Sequence, residues 1–328
     1  MQHLYPLKLS YVTKSPLWGG KRLLDGWNIS APAGQDTIGE AWMLTVREKY
    51  MSVIQNGTLQ GMTMRQYIDT YGNGVVGESF NGGDFPLLIK LIDACDKLSV
   101  QVHPDDDYAA RVENDRGKTE MWVIVEAADD AEIIYGLRDG MSARQFRTAV
   151  REGRLSETMH HCPVKAGEVY FIPSGMLHAI GKGILIAEIQ QNCDLTYRVY
   201  DYERRGADGS LRELHVDKAL DVTVPFTEAE VDTIRYEAAD ASAIDRNTLL
   251  AHCRYFKTRK LTVSEDAKVM LTVDASSFVF LLCIDGEGAL LCGDTTTSIL
   301  RGEGVYLPAG LGEVTLRGKM TVLAASIQ

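Results

Sequence analysis

The sequence predicts a mostly β protein made of two similar units with a few short helices. Short segments rich in β-branched and aromatic residues recur along the chain, separated by Gly, Pro, Asn and Asp, a pattern typical of sandwiches and barrels. In addition, the segment GEVYFIPSGMLH at 167–178 is repeated in altered form as GEGVYLPAGLGE at 302–313. A repeat of this length and separation indicates two copies of one β unit.

The strand predictions rest on apolar runs bounded by turn residues. They cover 87–92, 121–126, 169–172, 184–189 and 279–284. Helices are predicted where a Ser or Thr precedes a Gln by three residues, the spacing of a capping box. This occurs at Thr63 with Gln66 and at Ser142 with Gln145, and a third helix is predicted within 213–222 from its apolar spacing.

The two copies of the repeat differ at their last position, which is His178 in the first and Glu313 in the second. Polar residues upstream of His178 have no clear counterparts in the second copy. We therefore predict a functional domain at 1–235 and a structural duplicate at 236–328. The acidic, Ala-rich stretch 227–244 is the predicted seam between them.

Composition excludes several classes of function. The chain has 328 residues and a formal net charge of −11, which argues against a broad surface for nucleic acid or anionic membranes. Its longest fully apolar run, 278–284, is far shorter than the ~20 residues of a membrane span. The N-terminus lacks a secretory pattern, so a cytoplasmic location is expected. An anionic small substrate remains compatible with these features.

A candidate metal site lies between residues 97 and 178. Alternation along a strand puts Gln101 and His103 on one face, and it pairs Lys118 with Glu120 in the same way. His178 follows the Pro-Ser-Gly turn of the repeat at a strand edge. Two imidazoles, one carboxylate and an amide oxygen suit a divalent ion such as zinc, whose catalytic sites keep an open position.

Two sets of residues carry a resemblance to known families. The pattern from Gly167 to His178, G-x5-P-x-G-x2-H, resembles the second metal motif of the cupin superfamily, with Lys182 in place of the usual Asn. Longer strings resemble the short bacterial form of mannose-6-phosphate isomerases over most of residues 5–222, and the C-terminal third resembles a degenerate cupin. The strings are PLWGGKRL at 16–23, GEAWMLT at 39–45, SVQVHPDD at 99–106, GKTEMWVI at 117–124 and LHAIGKGILIAEIQQNCDLTYRVYDYERR at 177–205.

This resemblance implies a fold, a cofactor and an activity. The fold is two double-stranded β-helix (cupin) barrels with the metal site in the first. The cofactor is one zinc ion per chain, held by Gln101, His103, Glu120 and His178, and Arg198 corresponds to the catalytic arginine. The activity is interconversion of mannose 6-phosphate and fructose 6-phosphate through a cis-enediol. Gln101 has a second interpretation, in which it binds substrate hydroxyls.

Several roles stay open between alternatives. Lys118 and Glu188 are both candidates for the general base that moves the proton between C1 and C2. Lys90, a charged residue inside an apolar strand, and Ser99 are candidates for binding the substrate and its phosphate. Arg204 and Arg205 are either phosphate ligands or solvated surface charges. Trp18, Trp42 and Trp122 either line a sugar pocket or fill the core.

Two other functions compete with an isomerase. A two-His, one-carboxylate set also suits non-haem iron, which would make the chain an oxidoreductase. The pocket could alternatively belong to a sensor that binds a sugar phosphate without turnover. The only partner expected is the small sugar phosphate, with no nucleic acid and no membrane, and the oligomeric state is left open.

Overall fold

Apolar strands account for most of the regular structure in the computed structural model, which describes residues 4–206, 208–236 and 247–328. The strands are β1 (Leu7–Leu9), β2 (Val12–Lys14), β3 (Glu40–Leu44), β4 (Val46–Arg47), β5 (Tyr50–Met51), β6 (Leu87–Ala94), β7 (Val100–Val102), β8 (Glu120–Ala127), β9 (Glu132–Leu137), β10 (Met159–Pro163), β11 (Val169–Ile172), β12 (His178–Ile180), β13 (Ile184–Gln191), β14 (Tyr197–Tyr200), β15 (Asn247–His252), β16 (Lys257–Val263), β17 (Val269–Val273), β18 (Val279–Cys292), β19 (Thr295–Leu300), β20 (Gly304–Leu307) and β21 (Gly312–Ser326). The helices are short: α1 (Arg22–Gly26), α2 (Met64–Tyr71), α3 (Asp106–Glu113), α4 (Ala143–Arg151), α5 (Val216–Val222) and α6 (Glu228–Arg235).

Three large sheets and a two-stranded sheet, β4-β5, organise these strands. A six-stranded sheet has the order β11-β8-β13-β6-β3-β2, and a five-stranded sheet has the order β10-β9-β12-β7-β14. An eight-stranded sheet follows the path β1-β20-β18-β21-β16-β15, with β17 paired to β21 and β19 paired to β18. The neighbouring strands within these sheets pair antiparallel. The mostly β class is therefore confirmed.

The predicted strands all form, and most extend by a few residues. The largest difference is β18, which is predicted to end at 284 but continues to Cys292. The strand continues through residues that are typical of a turn. It does so with a bulge between Cys283 and Asp285 and a left-handed glycine, Gly286 (φ 71°).

Both predicted capping boxes are present, at Thr63 and at Ser142. A third, not predicted, begins α6 at Thr227 with Glu230. This helix occupies the start of the stretch predicted as a seam, and residues 237–244 of that stretch lie outside the described residues.

The repeat has the same local structure in both copies. Each copy contains a four-residue strand, β11 or β20, followed by a proline turn and the start of a second strand, β12 or β21. The glycines at equivalent positions adopt left-handed conformations: Gly167 and Gly302 have φ of 93° and 83°, and Gly175 and Gly310 have φ of 89° and 77°.

The core is shared between the N- and C-terminal parts of the chain. The largest cluster of buried apolar residues includes members of β6, β8 and β13 together with Phe256, Phe278 and Tyr306. Strand β1 pairs with β20 and therefore belongs to the eight-stranded sheet. No helix in the described ranges has the length and apolarity that crossing a membrane would require.

Candidate metal centre

Cross-strand neighbours on the six-stranded sheet build one half of the site. Trp42, Lys90, Glu188 and Trp122 are register partners across β3, β6, β13 and β8. Opposed residues on neighbouring strands present their side chains on the same face of a sheet, so these four form one row. Glu120 lies two residues before Trp122 and projects from the same face.

The five-stranded sheet supplies the other half. Gln101 on β7 is the register partner of both His178 on β12 and Arg198 on β14. His103 follows β7 directly, two residues after Gln101. The turn between β11 and β12 holds His178 beside it, because the amide of Gly175 donates to the carbonyl of His103 at 2.8 Å.

Three of the four predicted metal ligands converge between the two sheets. The Nε2 atoms of His103 and His178 are 3.2 Å apart, and each is 3.6 Å from an oxygen of Glu120. All three residues are buried, with no more than 1% of their surface exposed. Gln101 borders this cluster, with its Nε2 3.4 Å from Nε2 of His178.

Main-chain carbonyls fix both imidazoles. Nδ1 of His103 donates to the carbonyl of Leu195, and Nδ1 of His178 donates to the carbonyl of Met176, each at 2.8 Å. A carbonyl only accepts, so each Nδ1 carries the proton and each Nε2 presents a lone pair to the centre. Burial lowers the pKa of His178 to about 4 and that of His103 well below its ordinary value.

The donor set therefore fits a metal ion. Two neutral imidazoles with converging lone pairs repel one another, and a cation between them removes this repulsion. The buried carboxylate adds the negative charge that a divalent cation favours.

Glu120 also has two donors beside it. Nζ of Lys118 lies 2.8 Å from Oε2 of Glu120, and the indole of Trp122 donates to Oε1 at 3.0 Å. Burial raises the pKa of Glu120 to about 7, although Lys118 opposes this shift. Burial alone would lower the pKa of Lys118, but the carboxylates of Glu120 and Glu188 raise it above its ordinary value.

Glu188 is a second buried carboxylate, adjoining the cluster. Its Oε1 lies 3.2 Å from Nζ of Lys90, and its Oε2 accepts from the indole of Trp122 at 3.1 Å. Burial raises the pKa of Glu188, but the ammonium groups of Lys90 and Lys118 outweigh it and hold that pKa below its ordinary value. Glu188 is therefore ionised and Lys118 protonated near neutral pH.

A cleft of about 320 Å³ opens next to the cluster, a volume typical of small-molecule sites. It is lined by all six residues predicted as catalytic or substrate-binding: Lys90, Ser99, Gln101, Lys118, Glu188 and Arg198. Because Gln101 and Lys118 also contact the cluster, they connect it to the cleft. Three other cavities, of about 420, 410 and 340 Å³, are larger and contain none of the predicted site residues.

The outer part of the cleft contains Arg198. Its Nη1 donates to the carbonyl of Glu213 at 2.8 Å, whereas its buried Nε has no hydrogen-bond partner among the described residues. Burial, followed by the nearby guanidinium of Arg212, lowers the pKa of Arg198. Ser99 is buried and donates through Oγ to Oε1 of Gln101 at 3.3 Å.

Sequence reasoning missed several groups in the cleft. Lys14, Glu40, Asp194 and Arg212 line it. Glu40 follows the strand alternation with Trp42 and could have been found that way, whereas Arg212 lies beyond the last strand of the unit, where no periodic pattern indicates its direction.

The structure also decides between alternatives left open by the sequence. Arg204 and Arg205 do not line the cleft: Arg204 is ion-paired with Asp201, and Arg205 is exposed and donates to the carbonyl of Gly209. Trp18 borders the cleft. Trp42 and Trp122 are fully buried, and their indoles donate to carboxylates.

The fold and the site together define a β protein with a buried two-histidine, one-carboxylate metal centre beside a polar cleft. Two family models match the chain: the catalytic domain of type I phosphomannose isomerase over residues 6–119, and the cupin domain of mannose-6-phosphate isomerase over residues 245–327. The chain belongs to the type I mannose-6-phosphate isomerase family.

Individual relatives agree with this assignment. Mannose-6-phosphate isomerase ManA of Bacillus subtilis (strain 168) is 38% identical, with 95% of this chain and 96% of the relative covered. A crystal structure of the mannose 6-phosphate isomerase from Bacillus subtilis matches with a TM-score of 0.88 at 34% identity, covering 98% of this chain and 99% of that chain. A zinc-bound mannose 6-phosphate isomerase shares the fold, with a TM-score of 0.74 at 16% identity, over 98% and 99% of the two chains.

Proposed function

We propose that this chain is a zinc-dependent aldose–ketose isomerase that interconverts mannose 6-phosphate and fructose 6-phosphate through a cis-enediol. The observation that carries the proposal is the buried cluster of His103, Glu120 and His178 beside a cleft with an ionised carboxylate and several cations. Its relatives carry the name of this activity, and one solved relative contains zinc.

His103 and His178 would hold zinc through Nε2, and Glu120 through its carboxylate, with one ion per chain. Gln101 is the fourth candidate ligand. Its amide nitrogen faces His178, and a half-turn of the amide would direct its oxygen there. Bound zinc supplies a Lewis-acid charge that polarises the carbonyl and hydroxyl oxygens of the sugar.

The cleft residues supply the proton transfer and the binding. Glu188 is ionised and able to accept the proton that leaves C1 or C2, then return it to the neighbouring carbon. Lys118, as an ammonium, and Arg198, as a guanidinium, stabilise the negative charge that develops on the sugar oxygens. Lys90, Ser99 and Gln101 bind and orient the substrate.

We also propose that the two units are cupin barrels, divided at 235/236, with the metal site in the first only. The repeat supports this, because its glycines adopt the same conformations in both copies. In the second copy Glu313 is exposed, whereas the equivalent His178 is buried. The cytoplasmic location stays a prediction from the sequence.

One pair of variants tests the proposal. His178→Ala is expected to lose bound zinc, measured by elemental analysis, and isomerase activity, measured by a coupled assay with mannose 6-phosphate. Glu313→Ala, the matched change in the second copy, is expected to keep both. Full turnover after chelation of the metal, or equal losses in both variants, would contradict the proposal. Oxygen consumption would instead indicate an iron oxidoreductase, and substrate binding without turnover would indicate a sensor.

A further inference from the structure

The positive charge of the cleft is unevenly compensated. Lys90 is ion-paired with Glu188 and Glu40, and Lys118 with Glu120. At the same end, Lys14 lies 3.4 Å from Asp194. The inner lysines therefore have carboxylate partners before any substrate enters.

The two arginines of the cleft are less compensated. Among the described residues, the Arg198 guanidinium donates to one main-chain carbonyl, that of Glu213, and its buried Nε has no partner. Arg212 has one acidic neighbour, Asp201, at 3.4 Å, and this carboxylate is already engaged by Arg204. The two guanidiniums line the same cleft, and the buried carboxylate beside Arg212 is shared with Arg204, so together they form a site for an anion.

Asp201 explains how Arg212 is held in place. Asp201 is only 4% exposed and follows β14 directly, so it is fixed to the strand that carries Arg198. The next two residues, Tyr202 and Glu203, both adopt left-handed conformations, with φ of 54° and 55°. This turn reverses the chain and lets Arg212 return to the same carboxylate.

We infer that Arg212, together with Arg198, binds the phosphate of the substrate at the outer end of the cleft. Arg212 thereby selects phosphorylated over unphosphorylated sugars. The inference rests on the proposed function and adds to it an orientation of the substrate. The sugar carbons face Glu188 and the metal cluster, and the dianionic phosphate faces Arg212. Arg198 has unused guanidinium donors both for the phosphate and for the sugar oxygens that it stabilises. Arg212 is a specificity-determining residue that touches a part of the substrate remote from the reacting carbons.

The test compares Arg212→Gln and Arg212→Lys with Arg205→Gln, an exposed arginine of the same loop that does not line the cleft. For mannose 6-phosphate, Arg212→Gln is expected to raise KM roughly ten- to hundredfold, the range for a lost charged hydrogen bond. We expect kcat to change less than about threefold, because the reacting atoms keep their partners. Arg212→Lys is expected to recover part of the loss, and Arg205→Gln to match the wild type.

A second arm uses inorganic phosphate as a probe that needs no turnover. Calorimetric titration of the zinc-loaded proteins is expected to give weaker phosphate binding for Arg212→Gln than for the wild type and Arg205→Gln. Equal phosphate affinities in the three proteins, together with an unchanged KM, would overturn the inference. A wild type that binds phosphate through Arg212 but does not isomerise mannose 6-phosphate would overturn the proposed function alone.

Discussion

His103 and His178 owe their orientation to main-chain atoms. Each ring donates through Nδ1 to a carbonyl, of Leu195 or Met176, in a loop that follows or precedes a strand of the site. Such a hydrogen bond does not depend on the side chain of its partner, so substitution of Leu195 or Met176 would leave it in place. The imidazoles are thus prepared for the metal before it binds, which reduces the cost of organising the centre.

Glu188 and Lys118 differ in charge state, and this separates the two candidates for the general base. A base must accept a proton, and Lys118 already carries one because neighbouring carboxylates raise its pKa. We therefore expect Glu188→Gln to lower kcat by about 10²- to 10⁴-fold, the usual contribution of a general base. Bound zinc should stay near one per chain, since Glu188 is not among the clustered ligands.

The matched control for this prediction is Glu126→Gln, on the neighbouring strand β8, where the carboxylate pairs with Arg301 outside the cleft. It should retain kcat and zinc. A Glu188→Gln enzyme with near-normal kcat would assign the base to another residue, and one that lost its zinc would show that Glu188 acts on the metal centre instead.

Much of the residue-level site is predictable from the sequence, because strand alternation and the family resemblance both apply to it. His103, Glu120 and His178 form one cluster, Gln101 borders it, and the six predicted catalytic and binding residues line one cleft. The roles of these residues stay predictions. Arg212 was not predictable, since its position depends on a turn with two left-handed residues and on a shared carboxylate.

At the scale of elements, the equivalent glycines of the repeat, Gly167 and Gly302, are required for different reasons. A Cβ at Gly302 would lie 1.8 Å from the carbonyl oxygen of Trp27, whereas a Cβ at Gly167 would meet no atom within 4 Å. Both have positive φ, so both need glycine for conformation. Only Gly302 needs it for the close approach between the β19–β20 turn and the N-terminal part of the chain.

We therefore predict unequal losses from the same substitution. Gly167→Ala should lower the free energy of unfolding by about 1–2 kcal/mol, from the left-handed backbone alone. Gly302→Ala should lower it by about 1–3 kcal/mol more, because the methyl group forces Trp27 to move. Chemical denaturation of both zinc-loaded variants measures the difference. Equal losses would mean that the turn adjusts freely and that its packing on Trp27 contributes little.

The elements themselves were predictable where the local pattern and the tertiary structure agree. Strand β11 forms over its predicted bounds, 169–172, because turn residues limit it on both sides. The prediction for β18 stopped too early, since Asp285, Gly286 and Gly288 are typical of a turn in an isolated sequence. Pairing with β21 continues through all three residues, with a bulge before Asp285 and a left-handed Gly286, and pairing with β19 adds hydrogen bonds from Glu287 onward.

For the whole molecule, net charge and local charge have opposite signs. The chain carries a formal charge of −11, yet five cationic side chains face three acidic ones along the cleft. An acidic surface is a poor match for polyanions, whereas a cleft with its own cations attracts a small dianion at short range. Acidic composition and a phosphorylated substrate are thus compatible.

The C-terminal part of the chain is also connected to the metal centre by hydrogen bonds. The hydroxyl of Tyr255 donates to Oδ2 of Asp106 at 2.9 Å, and the amide of Gln191 donates to Oδ1 of Asp106 at 3.0 Å. Oε1 of Gln191 in turn accepts from the backbone amide of Thr119 at 2.8 Å, and Thr119 lies between Lys118 and Glu120. A residue outside the predicted catalytic domain thus supports the segment that carries a metal ligand.

We predict that Tyr255→Phe weakens both folding and metal binding. Removing a hydrogen bond to a carboxylate should lower the free energy of unfolding by roughly 1.5–3 kcal/mol. Less constraint on Asp106 and Gln191 should also loosen Glu120 and weaken zinc binding by about tenfold, the lower end of the effect of outer-shell changes. Competition with a chromophoric chelator measures the affinity.

Tyr71→Phe, at an exposed position, is the control and should change neither the free energy of unfolding nor the zinc affinity. If Tyr255→Phe lowers stability but leaves zinc affinity intact, the C-terminal unit stabilises the fold without supporting the metal centre. The second unit would then have a structural role only.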